Sequence, residues 1–118
     1  MKILIIFNHE PYDGGDVTWN GLRLAKTLLG KGEEVRIFLM NDSVDLARDV
    51  LVKPDSYDQD LVLLLKDLIA GGAQVQVCGT CMARCGLHKN HPYFEGAKKS
   101  TMAALADWVL DSDRVLTF

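Results

Sequence analysis

Apolar positions along the chain follow two different rhythms, and the changes from one to the other mark out its elements. Residues 2–7 are an almost unbroken apolar run rich in Ile, the pattern of a strand covered on both faces within a parallel sheet. Asn8 ends the run. Pro11, Asp13, Gly14 and Gly15 then mark a loop up to Asp16, a predicted helix N-cap. As far as Leu29, one apolar row of Leu22, Ala25 and Leu29 and another of Val17, Leu24 and Leu28 predict a helix with a broad buried face, stopped by Gly30 and Gly32. Residues 33–40 alternate as a second strand, with Phe38 and Met40 shifting it toward burial on both sides.

Ser43 is the expected cap of a short helix running to Val50, and Lys53-Pro54-Asp55-Ser56 breaks the chain after it. From Asp58 a third helix places Leu61, Leu64, Leu65 and Leu68 at helical spacing and stops at Gly71-Gly72. Residues 74–77 alternate polar and apolar and lead directly into Cys78, which is therefore expected at the carboxyl end of a strand. Ser100 is the expected cap of a last helix with Met102, Leu105, Ala106 and Val109 inward, and residues 114–118 read as a closing strand.

Strands alternating with helices imply an α/β fold, a mainly parallel sheet with helices on both faces, because parallel neighbours need crossover connections. With 118 residues, one domain spanning 1–118 is expected. Ligands of such sheets gather outside the carboxyl ends of the strands. Two unusual loops fall on that rim. One begins at Cys78, and the other, after the first strand, offers Asn8, His9 and Tyr12 as walls of a pocket beside it.

A net charge of −3, with 13 Lys and Arg scattered singly or in pairs, leaves no basic field for nucleic acid. The N-terminal apolar run is too short for a signal peptide and lacks a cleavage pattern. The longest other run, 61–65, is far below the ~20 residues that span a bilayer. A cytoplasmic protein without membrane or nucleic-acid partners is the expectation. Gly14-Gly15-Asp16 carries neither a dinucleotide nor a P-loop fingerprint and reads as an ordinary loop. His9 and His91 read as solvated, and Trp19 and Trp108 as packing or subunit-contact residues.

Cys78, Cys81 and Cys85 fall within eight residues, which is not how structural disulfides are distributed and points to reactivity or metal binding. A helical turn starting after Cys78 would set its sulfur against unpaired N–H groups, with Arg84, His88 and Lys89 adding positive charge. Such surroundings favour the thiolate, the form that attacks sulfur. Cys81, one turn on, is placed as a partner that forms or resolves a disulfide. Cys78, Cys81 and Cys85 with His88 or His91 make an acceptable zinc inventory, yet the spacing lacks two separate ligand pairs, so no metal or cofactor is expected. A metal-binding or regulatory module and a thiol–disulfide protein using Cys78 and Cys81 stay open as alternatives.

Pro11-Tyr12-Asp13-Gly14, Leu22-Arg23-Leu24-Ala25, Glu34-Val35-Arg36-Ile37-Phe38, and Val77-Cys78 running to Arg84 and Gly86 resemble the DsrE/DsrF-like family, which includes TusD-type sulfur-relay subunits. The resemblance spans essentially the whole chain. It implies a three-layer α/β/α fold and a homo-oligomer, trimer or hexamer. It also implies a sulfur carrier or sulfurtransferase role, in which Cys78 accepts sulfane sulfur as a persulfide from a donor protein and passes it to an acceptor thiol. Cys81 is then the second thiol, with Arg84, Cys85 and His88 in support.

Overall fold

The computed structural model describes residues 1–48, 51–81 and 95–118. The elements are β1 (Lys2–Phe7), α1 (Val17–Gly30), β2 (Glu34–Leu39), a 3₁₀ helix (Asn41–Ala47), α2 (Leu61–Ala70), β3 (Gln74–Cys78), β4 (Ala97–Ser100), α3 (Met102–Asp111) and β5 (Arg114–Thr117). The five strands form one all-parallel sheet in the order β4-β3-β2-β1-β5. From β1 to β4 the chain steps in one direction, and α3 then carries it back across the sheet to place β5 beside β1. Right-handed crossovers put α1 and α2 on one face under this order and α3 on the other.

The register shows the same two faces. Phe7 pairs with Leu39 and Ile6 with Phe38, so alternate residues of both strands share a side. Phe7 lies directly under Gly21 of α1. Phe38 meets Trp108 of α3 edge-on, with ring centroids 6.3 Å apart. Burial on both sides explains why β1 and β2 are nearly continuous apolar runs, with Leu4, Ile5, Phe7, Val35, Ile37 and Leu39 closed to solvent.

Helix ends follow the expected chemistry in part. Asp60 caps α2 by accepting from the Leu63 N–H at 3.0 Å, and Tyr12 Oη accepts from the Leu61 N–H at 3.0 Å, so two of the free N–H groups there are satisfied. Gly32 at φ 84° and Gly72 at φ 108° turn the chain after α1 and α2, a conformation that disfavours a Cβ. Asp16 makes no side-chain cap bond. Ser43 does not cap a helix either. Its hydroxyl lies 2.8 Å from the Phe7 carbonyl and 2.6 Å from the Met40 carbonyl, tying the ends of β1 and β2 together, and the segment is 3₁₀ rather than α-helical. Residues 49 and 50, in the expected helix to Val50, lie outside the described residues.

The C-terminal third departs most from expectation. Ser100 belongs to β4, a strand that residues 97–100, Ala-Lys-Lys-Ser, do not announce because it is polar and at the sheet edge. Thr101 caps α3 instead, accepting from the Ala104 N–H at 3.2 Å. The buried side of α3 is Leu105 with half-buried Trp108, whereas Met102, Ala106 and Val109 are exposed. Apolar residues surround this helix on nearly every side, so its periodicity does not select a face.

Arg36 ties β2 to α3 from the middle of the sheet. Only 8% exposed, it sits 2.8 Å from Asp111 Oδ2 and 3.2 Å from Glu34 Oε2, with its guanidinium 5.7 Å from the Trp108 ring centre. Hydrogen bonds from Arg36, and then from Lys2, hold the Asp111 carboxyl below its usual range. A depressed carboxylate contributes stability above its unfolded pKa and loses it as pH falls through its folded value. Melting temperatures measured from neutral to acid pH should therefore fall below about pH 4, and Asp111→Asn should lower the neutral value while removing part of that acid dependence. An Asn variant as stable as the native chain at neutral pH would show that the pair contributes nothing.

Candidate functional site

β3 pairs with β2 so that Gln76 lies beside Phe38 and Val77 beside Leu39, and with β4 so that Cys78 lies beside Ser100. Gln74, Gln76 and Cys78 therefore share the α3 face, and Val75 and Val77 face the side of α1 and α2. Among the described elements α3 packs on β1 and β2, and on the same face of β3 Gln74 is exposed and Gln76 half-buried. The two valines are buried, and the alternation in residues 74–77 records that difference. Ser100 Oγ donates to Gln76 Oε1 at 2.6 Å, closing the polar side of this shelf.

Cys78 stands at its end as a free thiol, 6% exposed. Helical backbone begins at the next residue, Gly79, and the Cys81 N–H donates to Cys78 Sγ at 3.3 Å. This is the expected arrangement of a strand-end sulfur against the first N–H groups of a turn. Cys81, half-buried, has its own donor: the Asn41 N–H reaches Cys81 Sγ at 3.3 Å. Asn41 directly follows β2 and Met40 and takes a left-handed φ of 52°. Its side chain donates to Asn8 Oδ1 at 3.0 Å, and Asn8 Nδ2 donates to the Phe118 carbonyl at 3.4 Å.

A cavity of about 270 Å³ is lined by both Cys78 and Cys81. Phe38, Met40 and Met102 supply its apolar walls, and Asn41, Thr80, Ser100 and Thr101 its polar edge. Gly79 makes the close approach of β4 possible. A Cβ there would lie 2.9 Å from Lys99 Cε and 3.0 Å from the Ser100 carbonyl oxygen.

The expected pocket walls divide. Asn8 reaches the Cys81 sulfur at one remove, through Asn41. Tyr12 turns to the start of α2, edge-on to Tyr57 at 4.9 Å between centroids; burial pushes its phenol up, against the Leu61 hydrogen bond that lowers it. His9 is exposed with Nδ1 3.9 Å from Asp13. Gly14 donates its N–H to Tyr57 Oη, tying that loop to the segment before α2. Arg84, Cys85, His88 and His91 lie outside the described residues. Among the described residues no three of His, Cys, Asp or Glu come together as a metal site. Met40, Asn41, Ser100, Thr101 and Met102 were not singled out by sequence reasoning. The available signal was topological, because residues following adjacent parallel strands converge on one rim.

The sequence model of the DsrE/DsrF-like family matches residues 1–118. The chain belongs to this family. YchN of Escherichia coli is 34% identical over 120 residues, covering 100% of this chain and 99% of YchN. Its crystal structure overlays with a TM-score of 0.89 at 33% identity, again over 100% of this chain and 99% of that one. An uncharacterized protein of Methanocaldococcus jannaschii is 40% identical over 118 residues, the whole of both chains. A protein of unknown function from Methanobacterium thermoautotrophicum shares the fold at 10% identity, with a TM-score of 0.77 over 99% of this chain and 98% of that one. The all-parallel α/β/α arrangement is thus the architecture of the DsrE-like relatives. No helix among the described residues is long and apolar enough to cross a membrane.

Two outcomes follow from this geometry. In the native fold iodoacetamide should modify Cys81 faster than Cys78, read by peptide mass mapping over time; the reverse order would contradict the burial of Cys78. Gly79→Ala should cost about 1–3 kcal/mol in a denaturant titration, as overpacking against β4 does elsewhere, and an unchanged midpoint would show that the strand yields freely.

Proposed function

We propose that the protein is a sulfur carrier in which Cys78 accepts sulfane sulfur as a persulfide and yields it to a partner thiol. The observation carrying this reading is the Cys78 sulfur at the end of β3, held by the Cys81 N–H and opening into a cavity large enough for an added sulfur atom. Family membership supports it. The Cys78 thiolate attacks the outer sulfur of a donor persulfide, forming the Cys78 persulfide and releasing the donor thiolate. An acceptor thiolate then attacks the same outer sulfur and regenerates Cys78. Cys81 supplies a second exit: its thiolate attacks Cys78 Sγ, closes a Cys78–Cys81 disulfide and expels hydrosulfide, so the sulfane sulfur is reduced as the two thiols are oxidised.

Donor and acceptor are proteins in this reading, in the cytoplasm, and the carrier is a homo-oligomer. Exposed apolar side chains on α3 and β5 support self-association, with Leu110 of α3 85% exposed and Val115 of the outer strand 40% exposed. Whole-protein mass spectrometry after incubation with a persulfide donor should show a reducible adduct of one sulfur atom on the native chain and none on Cys78→Ser. Cys81→Ser should retain the adduct for longer, because the hydrosulfide exit is closed. An adduct that persists in Cys78→Ser removes Cys78 from the mechanism.

A further inference from the structure

Four sulfur-bearing residues line the same cavity, and they come from three separate stretches of chain. Cys78 ends β3, Cys81 lies one helical turn on, Met40 follows β2 and Met102 opens α3. Three of the four polar side chains around them hold partners: Ser100 donates to Gln76, Thr101 accepts from the Ala104 N–H, and the Asn41 amide donates to Asn8, with Thr80 the fourth. The soft donors on the lining are two thiols and two thioethers, with Phe38 as an apolar wall beside them.

We infer that this cavity is a binding site for a soft monovalent metal ion, Cu(I), held by Cys78 and Cys81 with the thioethers of Met40 and Met102 completing its surroundings. Thiolate and thioether donors select Cu(I), whereas hard cations require oxygen. Among the described residues the lining offers two cysteines and no histidine, short of the four nitrogen or sulfur ligands of structural zinc. Binding forms two Cu–S bonds and displaces the two thiol protons to solvent, and the copper stays Cu(I). The N–H groups of Cys81 and Asn41, each 3.3 Å from a sulfur, offset the extra negative charge of the bis-thiolate complex. Met102, 63% exposed and unbranched, is free to swing its sulfur over the ion. Because Cu(I) takes the sulfur that a persulfide would extend, the ion and the sulfur cargo exclude one another.

The test is an anaerobic titration of the fully reduced chain with Cu(I) in the presence of bicinchoninate as a coloured competitor, with no sulfur donor present. The site therefore stands or falls independently of the carrier reading. The native chain should withdraw one Cu(I) per molecule, and excess Zn(II) should not displace it. Cys78→Ser and Cys81→Ser should each abolish withdrawal, and the Met40→Leu/Met102→Leu double variant should bind about tenfold more weakly, the scale on which secondary partners of a metal act. If a serine variant does not fold, peptide mapping of the native chain gives the same answer: Cu(I) should protect both Cys78 and Cys81 from iodoacetamide. Copper left with bicinchoninate, unprotected cysteines, or a methionine double variant of native affinity would overturn the assignment.

Discussion

Parallel pairing of β2 with β3, Leu39 beside Val77, is the constraint from which the cysteine site follows. It places the residue after Leu39 next to the residue after Val77, so Met40 and Cys78 emerge side by side on the same rim. Pairing of β3 with β4 then brings Ser100 to the other side of Cys78. A parallel sheet gathers all its carboxyl ends at one edge, and here three successive strand ends deliver apolar, thiol and hydroxyl groups within reach of one cavity. The backbone supplies the rest. Asn41 leaves β2 in a left-handed turn that presents its N–H to Cys81, and Gly79 lets the turn after β3 lie close against β4.

Coverage of the sheet decides which parts are inert and which are open to chemistry. Among the described elements, α1 and α2 cover one face and α3 covers the middle of the other, where Trp108 packs on Phe38 and Asp111 meets the buried Arg36. On the same face of β3, Gln74 is exposed and Gln76 half-buried. Cys78 lies at the end of that strand, buried enough to be shielded and bordered by a cavity that admits a small ligand. The two proposed ligands, sulfane sulfur and Cu(I), have one requirement in common: each would be held through polarisable sulfur rather than oxygen.

Local rules placed most of the secondary structure from sequence alone. The unbroken run at 2–7, the leucine face of α2 and the alternation into Cys78 correspond to β1, α2 and β3, because burial on two faces, one stripe or one face leaves a different period in each case. The two serines expected to cap helices were misplaced by the same kind of reasoning. Ser43 and Ser100 do meet polar partners, but across the sheet, at Phe7 and Gln76, and sequence proximity carries no information about such contacts. β4 was hidden because a short, lysine-bearing edge strand looks like a loop. The inward face of α3 was hidden because the helix is apolar on most of its circumference.

The sequence by itself determined the fold class, the family and the position of Cys78 at the end of a strand, since each rests on periodicity or on residues close together in the chain. Only the tertiary structure decided what surrounds that sulfur. Strand order, register and the placement of α3 join Met40, Asn41, Ser100 and Met102 to Cys78 and Cys81 and turn Tyr12 toward α2. Contacts between residues distant in sequence arise from hydrogen-bonded pairing and packing between elements, which no single segment encodes.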